Sequence, residues 1–188
     1  MKIDQTQNHV TAEVASYAMT QRYASPLGTM LLAAGADGLT GAWFVGQQYF
    51  AQGLDASKSV ERENDMLAAA KRWLDGYFAG RIPDFMPPLH PQGTAFQRSV
   101  WKLLLEIPRG QVTTYGALAK KLAQQQGRGS MSAQAVGGAV GRNPVSIFIP
   151  CHRVVGADGS LTGYAGGLER KAALLRLEGT QFRCKPEP

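Results

Sequence analysis

The stretch from Ile82 to Gly93 constrains this chain most, because its four prolines and lack of periodicity forbid a helix or an internal strand from running through it. The hydrophobic pattern differs on its two sides. Before it, from Tyr17 to Phe50, short apolar runs alternate with turn residues. Tyr23 leads into Ser25-Pro26-Leu27-Gly28, then Met30-Leu31-Leu32, then Leu39 to Val45. Asp37-Gly38 between the last two runs signals a hairpin, and a small antiparallel sheet is the expected product. Glu61 to Phe78 switches to helical spacing, with Met66, Ala70, Trp73, Leu74, Tyr77 and Phe78 on one side and Gly80 as the stop. This predicts a helix packed on the sheet.

Beyond the prolines, helical spacing dominates. Thr94-Ala95-Phe96-Gln97 has the form of a capping box, and Phe96, Val100, Trp101, Leu104 and Ile107 follow at helical spacing until Pro108 and Gly110. Thr113 or Thr114 can cap a second short helix carrying Leu118, Ala119 and Leu122. Gln124 to Ser130 is polar and reads as a loop. Ser132 offers an N-cap for a third helix through Val140, which holds Ala133, Ala135, Gly137, Gly138 and Ala139. Small residues lower helix propensity but permit close approach, to a neighbouring helix or to a sugar-phosphate backbone. The arrangement reads as a helix-turn-helix. The expected division is a disordered 1–15, an N-terminal α/β domain over 16–85, a linker over 86–93, a mostly helical domain over 94–180 and a flexible tail over 181–188.

Composition excludes several classes. With 188 residues and 44% hydrophobic content the chain suits a soluble globular protein of one medium or two small domains. No apolar stretch is long enough to span a bilayer, and Met1 to Glu13 lacks the apolar centre of a signal peptide, so a cytoplasmic protein without a membrane partner is expected. Two cysteines argue against a disulfide framework, and Cys184 in the polar tail reads as a bystander. Three histidines and no Cys-x-x-Cys spacing predict no metal site. The net charge of +6 suits a polyanionic partner.

Chemistry concentrates at Pro150-Cys151-His152-Arg153-Val154, after the apolar run Ile147-Phe148-Ile149, which reads as a buried strand. Neighbours on a strand point to opposite faces, so His152 can activate Cys151 only through a turn or a bridging water. Pro150 favours the turn. An isolated Cys-His pair reads first as a small buried thiol beside a core histidine. Its company shifts that reading. Downstream, Gly163-Tyr164-Ala165-Gly166-Gly167 forms a loop whose glycines let backbone approach a ligand. Upstream, Gly141-Arg142-Asn143-Pro144 joins the small-residue helix to Cys151 within a few residues.

Thr114-Tyr115-Gly116, Ala135-Val136-Gly137-Gly138-Ala139, Asn143-Pro144, Ile149-Pro150-Cys151-His152-Arg153-Val154 and Gly163-Tyr164-Ala165-Gly166-Gly167 together resemble the O6-alkylguanine-DNA alkyltransferases. These motifs cover most of the chain after Phe96, and Ser25-Pro26-Leu27-Gly28 is similar to the opening of that family's ribonuclease H-like domain. The fold implied is α/β (α+β): a small N-terminal ribonuclease H-like antiparallel sheet with a helix, then a mostly helical domain holding the helix-turn-helix and the active-site cysteine. The resemblance implies that Cys151 accepts the alkyl carbon from guanine O6, with His152 as its base through a water and Glu178 orienting the imidazole. Tyr115 would donate to the guanine ring nitrogen and the Ala165 N–H would serve O6. Val154, Tyr164 and Gly166 would line the base and alkyl pocket, and Asn143 would hold the helix-turn-helix against the active-site segment.

A stacked base is out of reach of the thiol, so the resemblance also implies base flipping from double-stranded DNA bound through its minor groove without sequence preference. Thr114, Gln134, Ala135, Gly137, Gly138 and Arg142 would contact that DNA. A monomer without cofactor is implied. One position departs from the pattern: Gln134 stands where the family usually has an intercalating arginine. Three rival readings remain open: an alkyltransferase-like lesion binder, whose relatives replace the cysteine; a helix-turn-helix regulator sensing alkylation or oxidation through Cys151; and a cysteine hydrolase, which leaves the helix-turn-helix unexplained.

Overall fold

The computed structural model describes residues 17–183. The expectations for residues 1–15 and for Cys184 lie outside it. Strands β1 (Ala18–Ser25), β2 (Gly28–Ala34) and β3 (Leu39–Phe44) form an antiparallel meander. Pro26-Leu27 makes the first turn, and Gly28 at φ 111° takes a backbone conformation that a side chain would strain. The Asp37-Gly38 signal coincides with the second turn, closed by Gly35 N–H to Gly38 O at 3.0 Å.

The expected antiparallel sheet is present, but the start of the helix needs correction. Glu61, expected to open the helix, belongs to β4 (Ser59–Glu61), which adds to β1 in parallel, so the sheet runs β3-β2-β1-β4. The helix α1 (Asp65–Phe78) begins only after Asn64, whose side chain accepts from the Leu67 N–H and so terminates the extended segment. It buries Leu67, Ala70, Trp73, Leu74 and Tyr77, and packs on β1 and β2.

β3 lies at the sheet edge, yet only Thr40 of its residues is not fully buried. Its free backbone groups are taken up from two sides. Leu39 N–H donates to Pro88 O and His90 N–H to Leu39 O, both at 2.8 Å, so the proline-rich segment docks on the edge. Ala42 N–H donates to Pro144 O at 2.9 Å and Ser146 N–H to Ala42 O at 2.8 Å. The second pair ties the segment leading to Cys151 directly to the N-terminal sheet, covering what would otherwise be an open edge.

In the C-terminal part, α2 (Ala95–Leu105) carries the complete capping box between Thr94 and Gln97. Thr114 caps α3 (Tyr115–Gln125) and Ser132 caps α4 (Ala133–Gly141), each accepting the N–H three residues on. These helices pack on one another, and Trp101 Nε1 donates to Ala139 O at 2.9 Å. Ile147-Phe148-Ile149 is not a strand. Pro144 and Pro150 each remove a donor, and Ile147 is held at φ 73°, where a β-branched residue is strained. The last helix, α5 (Leu168–Leu177), closes the fold. Residues 181–183 pair back on the 159–161 loop: Leu161 N–H donates to Arg183 O and Arg183 N–H to Gly159 O. One continuous apolar core spans both parts. Among the described residues no helix is long and apolar enough to cross a membrane, and no three His, Cys, Asp or Glu side chains cluster to hold a metal ion.

Candidate active site

Pro150 sets the local geometry. At φ −82° and ψ 61° it forms an inverse γ-turn, bringing the Cys151 N–H to Ile149 O at 2.8 Å. Cys151–Arg153 then coil into a 3-10 turn closed by Arg153 N–H to Pro150 O at 3.0 Å. The short strand β5 (Thr113–Thr114) pairs parallel with β6 (Val154–Val155), which continues from that turn, so Val154 and Thr114 come from adjacent strands. Cys151 and His152 therefore sit on a turn rather than on a straight strand.

Cys151 is 5% exposed. Asn143, also buried, donates Nδ2 to Cys151 Sγ at 3.0 Å and to Ile149 O at 2.8 Å. Its Oδ1 accepts from the Val145 N–H at 3.0 Å, so one side chain closes the Asn-Pro turn and touches the sulfur.

Behind the thiol lies a buried polar network centred on Glu178, the residue that ends α5. His152, fully enclosed, places Nε2 2.9 Å from Glu178 Oε1. Tyr77 Oη donates to the same oxygen at 2.7 Å, and Arg153 adds a two-pronged contact, Nε to Oε2 and Nη2 to Oε1, both at 2.8 Å. An ionised carboxylate only accepts, which assigns the imidazole proton to Nε2. His152 Nδ1 is then a bare acceptor, buried and without a partner among the described residues.

Charge balance is set by burial against partners. Burial works to raise the Glu178 carboxyl, but hydrogen bonds from His152 and Arg153 outweigh it and hold the group well below the usual carboxylate range. Burial lowers the His152 pKa, and the Glu178 hydrogen bond and charge only partly offset this. Burial raises the Cys151 thiol, opposed by the Asn143 hydrogen bond and the Lys171 charge. The resting pair is a neutral thiol and a neutral imidazole whose Nδ1 lone pair can take a proton.

The 163–167 loop stands over this centre through Lys171, whose Nζ is buried and donates to the carbonyls of Val154, Thr162 and Gly163. Burial brings its pKa down to about 8. Tyr115, the first residue of α3, directs Oη to Thr162 O and Gly163 O, each at 3.3 Å. Tyr164 packs its ring so close to Gly166 that a Cβ there would lie 2.6 Å from it. Ala165 accepts at its carbonyl from the Gln48 N–H at 3.0 Å.

The candidate DNA contacts lie elsewhere. Gln134, Ala135, Gly138 and Arg142 line one open groove along α4, together with residues of α2. Gly137 does not join them: it faces the Tyr115 ring, 3.5 Å from where its Cβ would stand. Thr114 uses its hydroxyl as the cap of α3. Arg142 donates to Gly138 O and lies over the Tyr49 ring, 5.1 Å from its centre.

Residues 19–91 match the family profile described as the 6-O-methylguanine DNA methyltransferase ribonuclease-like domain, and residues 95–180 match that of its DNA binding domain. The chain belongs to the 6-O-methylguanine DNA methyltransferase family. The methylated-DNA–protein-cysteine methyltransferase of Methanosarcina acetivorans is 42% identical over 158 residues, covering 84% of this chain and 96% of that protein. That of Mycobacterium leprae is 43% identical over 158 residues, covering 84% and 90%. The crystal structure of Mycobacterium tuberculosis OGT in complex with DNA superposes with a TM-score of 0.74 at 39% identity, covering 85% of this chain and 92% of that one.

Within this methyltransferase fold, three residues of the centre escape a reading of the sequence. Tyr77 counts there only as part of an apolar helix stripe, and Arg153 only as part of a motif. Lys171 has a legible signal: it precedes Leu174 and Leu175 by three and four residues, placing a cation on the buried face of α5.

Proposed function

We propose that this chain repairs DNA by direct, irreversible transfer of an alkyl group from guanine O6 to Cys151, once per molecule. The observation that carries the reading is His152 Nδ1, a buried base without a partner among the described residues, held by Glu178 next to a buried thiol in a 3-10 turn. The names of the relatives support it.

In this reading the thiol proton passes through a water to His152 Nδ1, and Glu178 stabilises the resulting imidazolium. Cys151 Sγ forms its bond to the alkyl carbon as the carbon–O6 bond breaks. The guanine would leave as an anion, so Tyr115 supplies a hydrogen bond at the ring nitrogen and the Ala165 N–H one at O6. The Tyr115 hydroxyl, which rests on the Thr162 and Gly163 carbonyls, turns to the base when it enters. Val154, Tyr164 and Gly166 border the base and its alkyl group. The thioether formed has no good leaving group, so the protein is consumed. No cofactor takes part, because the sulfur itself keeps the carbon.

The partner is double-stranded DNA, bound as a monomer through the minor groove and without sequence preference. Gln134, Ala135, Gly138 and Arg142 meet it along the α4 groove. Gly137 and Thr114 contribute by admitting Tyr115 and starting α3. The base rotates out at a cost of roughly a few kcal/mol, with Gln134 filling the gap by hydrogen bonding instead of charge. Residues 16–85 and 94–180 act as the two domains, and the work is done in the cytoplasm.

The test is incubation with duplex DNA containing O6-methylguanine, followed by digestion and mass analysis. One methyl group on the Cys151 peptide is expected. An unmodified peptide with retained DNA binding would favour a lesion binder, and an oxidised one a sensor.

A further inference from the structure

The 163–167 loop is tied directly to the turn after β3 at one carbonyl, and at a second it is held by Arg170 of α5, which also bonds the β1–β2 turn. Ala165 O accepts from the Gln48 N–H at 3.0 Å, and Gly166 O accepts from Arg170 Nη1 at 2.9 Å. Gln48 belongs to the turn after β3. That turn is shaped by Gln47, which is buried; its Oε1 accepts from the Phe44 N–H at 2.9 Å and its Nε2 donates to Gln48 O at 3.3 Å. Arg170, on α5, in turn reaches the neighbouring turn at the same end of the sheet. Its Nε donates to Leu27 O in the β1–β2 turn at 2.9 Å, its guanidinium lies 4.8 Å from the Phe44 ring centre, and it closes against Gly28. Just before them in the chain, Tyr164 O accepts from the Gly167 N–H at 3.0 Å. Three successive carbonyls are thus fixed, that of Ala165 by the sheet's own turn and that of Gly166 by a side chain of α5 that is itself bonded to the sheet.

We infer that Arg170 and Gln47 are positioning residues for the transfer reaction, through which the N-terminal sheet sets the placement of the Ala165 donor and the Tyr164 wall. This rests on the repair reading above, which makes those two residues the ones that face the flipped base. Neither Arg170 nor Gln47 touches Cys151, His152 or Glu178. A cleft of about 760 Å³ separates the loop from the two sheet turns, lined by Leu27, Gln47, Gly166 and Arg170 among others, so these few bonds bridge open space and packing does not replace them. Lysine cannot take the place of Arg170, because one ammonium cannot serve two carbonyls in the fork geometry and lie flat on Phe44.

The experiment compares Arg170→Lys and Gln47→Ala with the unsubstituted protein. Saturating single-turnover rates are measured with an O6-methylguanine duplex and with free O6-benzylguanine, alongside DNA affinity, melting temperature and the rate of Cys151 alkylation by iodoacetamide. Each variant is expected to slow both transfers by about tenfold, as a displaced donor does, while DNA affinity and iodoacetamide alkylation stay unchanged. Transfer at the unsubstituted rate in both variants would overturn the inference. So would a parallel fall in transfer, DNA affinity and thiol alkylation that tracks the melting temperature, which is what mere loosening of the fold would give. Absence of transfer by the unsubstituted protein would instead sink the repair reading itself.

Discussion

Around Cys151 the polar groups are tied down by their neighbours, whereas along the groove of α4 they face open space. Glu178 alone receives Tyr77, His152 and both prongs of Arg153, and Asn143 is bonded at both ends of its amide. Gln134 and Ala135 are exposed, and α4 presents small side chains. The contrast marks a division of labour. A nucleophile needs fixed partners in a dry setting, since a buried charge network tolerates no missing member. A surface that meets many DNA sequences needs shape and small side chains more than fixed bonds. The two regions are joined by the short Asn143–Pro150 segment, strained at Ile147 and bonded to β3.

If the division holds, damage to the centre affects a free base and a duplex alike, while damage to the groove affects the duplex only. The largest effect is expected for Cys151→Ala, which abolishes transfer, by about a thousandfold or more, and leaves DNA binding intact in a gel-shift titration. Loss of both would make the thiol structural and break the comparison.

Glu178→Gln comes next, slowing transfer about 100-fold on both substrates in single-turnover assays. It also lowers stability by about 3 kcal/mol at neutral pH in urea unfolding, because Arg153 loses its counter-charge and His152 and Tyr77 lose a charged acceptor. The carboxyl is depressed in the folded state, so the unfolded chain binds the extra proton below about pH 4.3. The stability Glu178 supplies is therefore full above that pH and lost as pH falls towards its depressed value. Glu178→Gln should flatten that slope.

A smaller change is expected from Lys171→Met, which removes a cation that favours the Cys151 thiolate. The midpoint of the pH profile for iodoacetamide alkylation should move to higher pH; an unmoved midpoint would take Lys171 out of the electrostatics of the thiol. The smallest effect belongs to Gln134→Ala. Loss of one hydrogen bond, about 1 kcal/mol, should slow repair of a duplex about fivefold and leave free O6-benzylguanine untouched. Equal slowing of both would remove Gln134 from base extrusion and blur the boundary between the two regions.

Legibility in the sequence depends on the range of the interactions. Thr94, Thr114 and Ser132 cap helices through residues three positions away, so a local pattern suffices to find them. The Asp37-Gly38 turn is local in the same way. β4 escapes notice because its partner is β1, some forty residues earlier, and three residues of strand carry too little alternation to compete with the helical spacing after them. Ile147-Phe148-Ile149 resembles a strand because its apolar character is real, all three being buried. Its left-handed residue, Ile147, lies two positions after Val145, whose long-range bridge to Ala42 no local pattern announces. At the centre, Cys151, His152 and Glu178 stand out through motif and resemblance, but Tyr77 lies a hundred residues from its partner, and nothing near it signals that its hydroxyl meets a carboxylate.

The most direct test gives the protein an excess of O6-methylguanine duplex and tracks methyl groups transferred per molecule over time. A rise that stops at one methyl per protein is expected, all of it on Cys151, with an equal amount of guanine restored in the DNA. Continued turnover past one equivalent, or methyl groups on any other residue, would contradict it.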